Sequence, residues 1–125
     1  MDRVLFENQN FKVMVETHEL PWIKIFTVES FKEMSELPKD IRLELFELTN
    51  FIECEMIDYF KPDKINLASF GNYVPHVHMH IQARFKDDSF FPEPTWGIKQ
   101  RDGKQRDCED FNNQLETKLQ GVTFG

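Results

Sequence analysis

The stretch PHVHMHIQARF, residues 75–85, carries three of the four histidines of the chain, each separated from the next by one apolar residue. Side chains alternate between the two faces of a β-strand, so His76, His78 and His80 are predicted to project from one face. The intervening Val, Met and Ile would face a helix on the other side. Successive imidazoles would then line an open groove, with their Cα atoms ~7 Å apart, twice the rise per strand residue.

Three interpretations of this row are compatible with the residues alone. A solvated strand face is one, although histidine is an unusual choice for it. A zinc site is another, but three same-face positions on one strand lie nearly in a line, no carboxylate follows at His-x-His-x-Glu spacing, and His18 is the only other histidine. The third is catalysis around a phosphate, for which neutral imidazole is suited as nucleophile or donor near pH 7.

The segment GNYVP immediately before the row favours the catalytic interpretation. Gly71 allows a close backbone approach to a ligand, and the Asn72 amide can donate hydrogen bonds to phosphate oxygens.

The remaining segments predict a single α+β domain over residues 1–125. Short runs rich in β-branched and aromatic residues predict strands at 3–8, 11–16, 22–29 and 64–70. Apolar residues recur at three- and four-residue steps from Ile41 to Tyr59, which predicts one long amphipathic helix ending before Pro62. With the histidine strand this gives an antiparallel sheet of about five strands, covered by the helix on one face.

The tail from residue 98 is predicted to hold a short C-terminal helix. Phe111, Leu115 and Leu119 recur at four-residue spacing, and this apolar stripe would dock either on its own domain or on a second subunit.

Composition restricts the class of protein. The chain has 125 residues with 40% apolar content and 13 phenylalanines, enough for one core. Its 15 basic and 22 acidic residues give a net charge of −7, which disfavours nucleic-acid binding through the phosphate backbone. No apolar run is long enough to span a membrane. Cys54 and Cys108 are predicted to be free thiols, and the N-terminus lacks signal-peptide features, so a cytoplasmic location is expected.

HVHMHIQA matches the His-φ-His-φ-His-φ-φ signature, and the chain resembles the histidine triad family of nucleotide hydrolases and transferases, in particular a bacterial branch that includes diadenosine polyphosphate hydrolase-like proteins. Five further short motifs of that branch accompany the signature. They are PW before the third strand, KIN at the start of the next strand, GN..P before the histidines, ARFKDD after them, and WG further along the chain. The resemblance covers about residues 11–97.

The resemblance implies a role for each histidine. The middle one, His78, would attack the α-phosphorus of a nucleotide and form a nucleotidyl-histidine that water hydrolyses. His76 and His80 would flank the phosphate, donating hydrogen bonds and a proton for the leaving group.

Further residues acquire expected roles from the resemblance. Asn66, Asn72 and Gly71 would contact the phosphate, Glu16 would hold the ribose, and Arg84 would meet a distal phosphate or pair with Asp87 or Asp88. The candidates for apolar walls around the base are Phe6, Phe11, Met14 and Phe26.

The chain departs from the family pattern at two positions. Tyr73 stands where many members carry a phosphate-binding Ser or Thr, and Ile23 stands where many carry a further histidine. Trp96 resembles a Trp that in some relatives reaches the partner's active site, although packing against its own sheet is the alternative.

The implied function is hydrolysis of AMP-linked or dinucleoside polyphosphate substrates. The alternatives are a nucleotidyl transferase, a nucleotide-binding or sensing module with weak turnover, and a histidine-ligated metalloprotein. No cofactor is expected beyond Mg²⁺ arriving with the nucleotide. The expected partners are a purine nucleotide or dinucleotide and a second copy of the chain in a homodimer, with no nucleic acid and no membrane.

Overall fold

The histidine stretch forms an inner strand of a five-stranded antiparallel sheet, as predicted. The computed structural model describes residues 3–122, so residues 1–2 and 123–125 of the predicted domain lie outside the described part. The strands follow the order β1-β2-β3-β5-β4 across the sheet. Their bounds are β1 Val4–Glu7, β2 Phe11–Val15, β3 Trp22–Thr27, β4 Lys64–Ala68 and β5 His78–Arg84.

The long helix covers one face of the sheet. Helix α1, Lys39–Phe60, follows a 3₁₀ turn at Met34–Glu36 and begins directly after Pro38. Its buried side chains recur at helical spacing and are Leu45, Leu48, Thr49, Ile52 and Met56. Each fully buried aliphatic side chain stabilises the fold by about 1.5 to 3 kcal/mol relative to exposure. The predicted amphipathic helix is confirmed.

The C-terminal helix docks on its own domain. Helix α2, Glu109–Gln120, buries Phe111, Leu115 and Leu119, the three residues of the predicted stripe. The Phe111 ring packs 4.8 Å from that of Phe60 at the end of α1. The stripe is therefore part of the core of the same chain.

Strand register decides what surrounds the histidines. On the core side, Val77, Met79 and Ile81 are buried, as the alternation predicts. On the opposite face, His78 stands across from Phe26, His80 from Lys24, and Gln82 from Trp22. Directly opposed residues of antiparallel strands share a face, so β3 lines the histidine face with two aromatic rings and a lysine. This sets the floor of the candidate site.

The chain after β5 folds back over the end of the histidine face. Arg84 donates from Nε and Nη2 to both carboxylate oxygens of Asp88, at 2.9 and 3.0 Å, and from Nη2 to the carbonyl oxygen of Glu93. Gln82 Nε2 donates to Thr95 Oγ1 at 2.8 Å. These bonds hold the segment before Trp96 against the sheet.

Within residues 3–122, neither helix has the length and apolar content that a bilayer crossing requires.

Candidate active site

A cavity of about 580 Å³ lies over β3 and β5 on the histidine face. It brings together five of the eight predicted site residues, namely Glu16, Gly71, Asn72, His78 and His80. The other residues that line it are Lys24, Phe26, Phe70, Tyr73, Val74 and Trp96. A volume in the hundreds of cubic ångströms with apolar walls and a few polar groups is typical of a small-molecule site.

The backbone orients the His78 ring. Nδ1 of His78 donates to the carbonyl oxygen of His76 at 2.8 Å. A carbonyl can only accept, so the proton of neutral His78 sits on Nδ1 and the lone pair sits on Nε2. The Phe26 ring stacks on the imidazole, with centroids 4.8 Å apart and planes inclined by 20°. This arrangement suits His78 to act as a nucleophile through Nε2.

A tryptophan fixes the opposite tautomer in His80. Nε1–H of Trp22 donates to Nδ1 of His80 at 3.0 Å, so neutral His80 carries its proton on Nε2. Burial, then the nearby His78 and Lys24, lower the pKa of His80 from 6.5 to about 4. His80 is therefore neutral at pH 7. The centroid of its ring lies 4.8 Å from that of His78. His80 can therefore donate a hydrogen bond from Nε2–H next to the candidate nucleophile.

The His76 ring lies outside this cavity. β5 begins at His78, so His76 precedes the paired part of the strand. Its Nε2–H donates to the carbonyl oxygen of Thr27 at 2.6 Å, and the ring does not line the cavity. His76 also packs edge-on against Phe26, with ring centroids 5.7 Å apart, so it lies next to the ring that stacks on His78. Of the three imidazoles, His78 and His80 line the cavity.

The loop before the histidines forms one side of the cavity. Gly71 has φ +74°, in the left-handed region where glycine is favoured, and Asn72 follows it at the cavity rim. Tyr73 is fully exposed at the same rim. The loop is tied back by Ser69, whose hydroxyl donates to the carbonyl oxygen of His78 at 2.7 Å.

An ion pair lies at the other side. Nζ of Lys24 is 3.2 Å from Oε2 of Glu16, and both residues line the cavity. Glu16 therefore lines the same cavity as His78 and His80.

Asn66 and Arg84 lie on the histidine face but outside the cavity. Asn66 Oδ1 accepts from Arg84 Nη1 at 2.8 Å, and Arg84 is buried. Arg84 was expected either to meet a distal phosphate or to pair with Asp87 or Asp88, and in the structure it pairs with Asp88. Although burial alone would raise it, hydrogen bonds from Arg84 and the backbone lower the pKa of Asp88 to about 2. The guanidinium is occupied by protein groups rather than directed at the cavity.

Aromatic rings line the cavity beside His80. Trp96 packs edge-on against His80, Trp22 and Phe70, with centroid distances of 5.1, 5.3 and 4.7 Å. Trp96 therefore lies in the site of its own chain. Of the predicted base-wall residues, Phe26 lines this cavity, whereas Phe11 is a core residue.

A second cavity, of about 560 Å³, adjoins the first at Glu16. It lies between the end of β2 and the start of α2, and its walls include His18, Arg106 and Cys108. Burial, and then Asp107, raise the pKa of the Cys108 thiol to about 11. Cys54 and Cys108 are both free, as predicted. Among residues 3–122, no group of three or more His, Cys, Asp or Glu side chains is arranged to hold a metal ion.

Sequence interpretation missed Trp22 and Lys24 as site residues. Both alternate with core residues along β3, and this alternation is visible in the sequence. The sequence does not reveal that β3 pairs with β5. This pairing places Trp22 opposite Gln82 and Lys24 opposite His80.

Comparison with known proteins identifies the family. The HIT domain model matches residues 7–87, more than half of the chain. A histidine triad protein from Bradyrhizobium japonicum is similar in structure, with a TM-score of 0.77, 25% identity, and coverage of 98% of this chain and 91% of that one. One from Marinobacter aquaeolei VT8 has a TM-score of 0.75, 29% identity, and coverage of 96% and 87%.

A third structure, a diadenosine triphosphate hydrolase from Plasmodium falciparum, shares the fold, with a TM-score of 0.59, 20% identity, and coverage of 98% and 78%. No curated protein sequence matches the chain. The family match and the histidine-lined cavity lead to one conclusion: the chain belongs to the HIT domain family of histidine triad proteins.

Proposed function

We propose that the protein is a nucleotide phosphohydrolase that acts on AMP-linked or dinucleoside polyphosphate substrates through a nucleotidyl-histidine intermediate. The observation that carries this proposal is the orientation of His78. Its Nδ1–H is bonded to the His76 carbonyl oxygen, which leaves the Nε2 lone pair available in a cavity that His80 also lines. An imidazole held in this tautomer is ready to attack phosphorus without prior loss of a proton.

In the proposed first step, Nε2 of His78 forms a bond to the α-phosphorus, and the bond from phosphorus to the leaving oxygen breaks. The leaving group takes the electron pair. As positive charge develops on the ring, the carbonyl oxygen of His76 stabilises it through Nδ1–H. Nε2–H of His80 donates a hydrogen bond to a phosphate oxygen, because its Nδ1 already accepts from Trp22.

In the second step, a water oxygen attacks the phosphorus and the N–P bond breaks. The electron pair of the broken N–P bond returns to Nε2 of His78, and one proton of the attacking water is released to solvent. The products are a nucleoside monophosphate and a neutral His78 ready for another cycle. No step requires a metal ion, so Mg²⁺ would enter only as the counter-ion of a polyphosphate substrate.

The adjoining cavities supply room for the rest of the nucleotide. Glu16 lies where the two cavities meet, so a ribose hydrogen-bonded to its carboxylate would extend the base away from His78 and into the second cavity. The similar structure from Plasmodium falciparum is that of a diadenosine triphosphate hydrolase, which makes a dinucleoside polyphosphate the first substrate to test.

Turnover of diadenosine polyphosphates by wild-type protein and His78→Ala tests the proposal. Wild type should release AMP, and the variant should lose at least about 10³-fold in kcat while still binding AMP. Mass spectrometry of acid-free quenched reactions should find one nucleotidyl group on His78. Unchanged turnover in His78→Ala contradicts the proposed mechanism.

A nucleotide-binding module with weak turnover is the second candidate, and Tyr73 favours it. This side chain lines the cavity at its rim and is fully exposed, so its hydroxyl is not held in place as that of a phosphate-binding Ser or Thr would be. Tight AMP binding by calorimetry, with no product from a panel of nucleotides, would support this candidate. A transferase would instead pass the nucleotidyl group from His78 to a second substrate in place of water.

We also propose a homodimer. Leu43, Phe46 and Ile57 are exposed large apolar side chains on α1, and a second copy of the chain would cover them. Sedimentation at micromolar concentration tests this, with a dimer expected and a stable species near 15.0 kDa contradicting it.

A further inference from the structure

Lys24 places an ammonium group beside the candidate catalytic histidines. It lies on β3 directly opposite His80, and it is the diagonal neighbour of His78 on the same face. In antiparallel sheets such diagonal positions are about 7 to 8 Å apart, within reach of a lysine side chain. Only 12% of the Lys24 side chain is exposed, and it lines the cavity.

Lys24 is also the principal positive charge of this cavity. Among the described residues that line it, no other is a lysine or an arginine. His80 is neutral at pH 7, and Arg84 is committed to Asp88 outside the cavity. A substrate phosphate that enters the cavity therefore meets one fixed cation, and that cation comes from a strand rather than from the histidine row.

Glu16 serves as a counter-ion of Lys24 in the absence of substrate. The two groups are 3.2 Å apart, and the Glu16 side chain is about one-third exposed. Burying an ammonium group destabilises the fold unless an anionic group lies next to it. The carboxylate of Glu16 therefore offsets the free-energy cost of burying Lys24. A nucleotide would supply a second anion next to Lys24 while its ribose hydroxyls approach Glu16.

We propose that Lys24 is a phosphate-binding residue that makes the site selective for substrates whose leaving group is itself a phosphate. This inference rests on the proposed function and narrows its substrate class from AMP-linked compounds in general to nucleoside polyphosphates. An ammonium binds phosphate as a point charge with three donors, and its attraction grows with the negative charge of the ligand. Lys24 would thereby replace part of the phosphate contact that a Ser or Thr makes in many family members and that the exposed Tyr73 does not make.

A purely structural role is the competing explanation, in which Lys24 and Glu16 only tie β3 to the end of β2. Separate substitutions of Lys24 and Glu16 distinguish phosphate binding from a structural role. Lys24→Met removes the charge but keeps an unbranched side chain, Lys24→Arg restores the charge, and Glu16→Gln breaks the same pair while leaving the lysine in place.

The decisive measurement is the ratio of kcat/KM for a dinucleoside polyphosphate to that for an AMP phosphoramidate of a neutral amine. Lys24→Met should lower this ratio by about tenfold or more, the scale of one lost charge-assisted phosphate contact. Lys24→Arg should recover most of it. Glu16→Gln should lower both values together and leave the ratio unchanged. A Lys24→Met variant whose ratio equals that of wild type overturns the inference.

Binding measurements keep the inference testable if wild type hydrolyses neither substrate, a result that would reject the proposed function by itself. Calorimetry would then compare AMP with adenosine. Wild type should prefer AMP, and Lys24→Met should lose most of that preference, on the order of tenfold. An equal preference in both proteins, or no preference for AMP in wild type, overturns the role of Lys24 in phosphate binding.

Discussion

The carbonyl oxygen of His76 lies 2.8 Å from Nδ1 of His78, so the first histidine of the row orients the second through its backbone. The His76 ring itself is turned toward the Thr27 carbonyl. The contribution of His76 to His78 is therefore one that any residue at this position can make.

This relationship predicts that His76→Ala retains most activity. The carbonyl oxygen remains in the variant, so kcat should fall by well under the roughly 10²-fold minimum associated with loss of a general acid or base. Steady-state kinetics of His76→Ala, compared with wild type and with His78→Ala, measures this loss of kcat. A loss of 10²-fold or more would instead place the His76 ring in the chemistry, as the family resemblance implies.

Trp22→Phe should disturb His80 without removing it. The variant keeps an aromatic ring but lacks the indole N–H, so Nδ1 of His80 loses its donor and the Nδ1–H tautomer becomes accessible. We expect about tenfold lower kcat, in line with one hydrogen bond of about 1 to 1.5 kcal/mol. Nitrogen NMR of the imidazole should detect the tautomer change. Trp96→Phe is the matched control, because Trp96 meets His80 by ring packing only, and an unchanged His80 tautomer in Trp22→Phe would refute the assignment.

The low pKa of His80 predicts a stability loss in mild acid. The folded pKa is about 4 and the ordinary value is 6.5, so between these pH values the unfolded chain binds more protons at this site. The free energy of unfolding should therefore decrease as pH falls from 6.5 toward 4, with His80 contributing up to about 1.4 kcal/mol per pH unit. Urea denaturation of wild type and His80→Asn measures it. Parallel pH profiles for the two proteins would contradict the shifted pKa.

Asp88→Asn should strongly destabilise the fold, because Asp88 is buried. It leaves the guanidinium of Arg84 buried without its counter-ion, at a cost of about 3 to 5 kcal/mol. Asp87→Asn is the matched control, because Asp87 pairs with Arg106 in an exposed position worth about 1 kcal/mol or less. Denaturant unfolding distinguishes the two, and equal losses would show that the Arg84 pair is not a structural clamp.

Local periodicity and the family signature were sufficient to predict the fold. The spacing of α1 and the alternation of Val77, Met79 and Ile81 are properties of single segments, and both are confirmed. The His78 and His80 positions in the cavity follow from the same alternation.

The partners of these histidines depend on tertiary structure. Trp22 and Lys24 reach the site because β3 pairs with β5, a neighbour relationship between segments more than fifty residues apart in sequence. The occupation of Arg84 likewise depends on how the chain folds back after β5. No spacing rule predicts the contacts of Trp22 and Lys24 or decides between the two expectations for Arg84, because these depend on which strands and loops meet in three dimensions.

The position of Trp96 links the candidate site to the segment that follows β5. That segment is bonded to Gln82 and Arg84 of the same sheet, so one aromatic wall beside His80 depends on contacts made by Arg84, which lies outside the cavity. A substitution that loosens the contacts of Arg84 would therefore reshape the cavity without altering any residue that lines it.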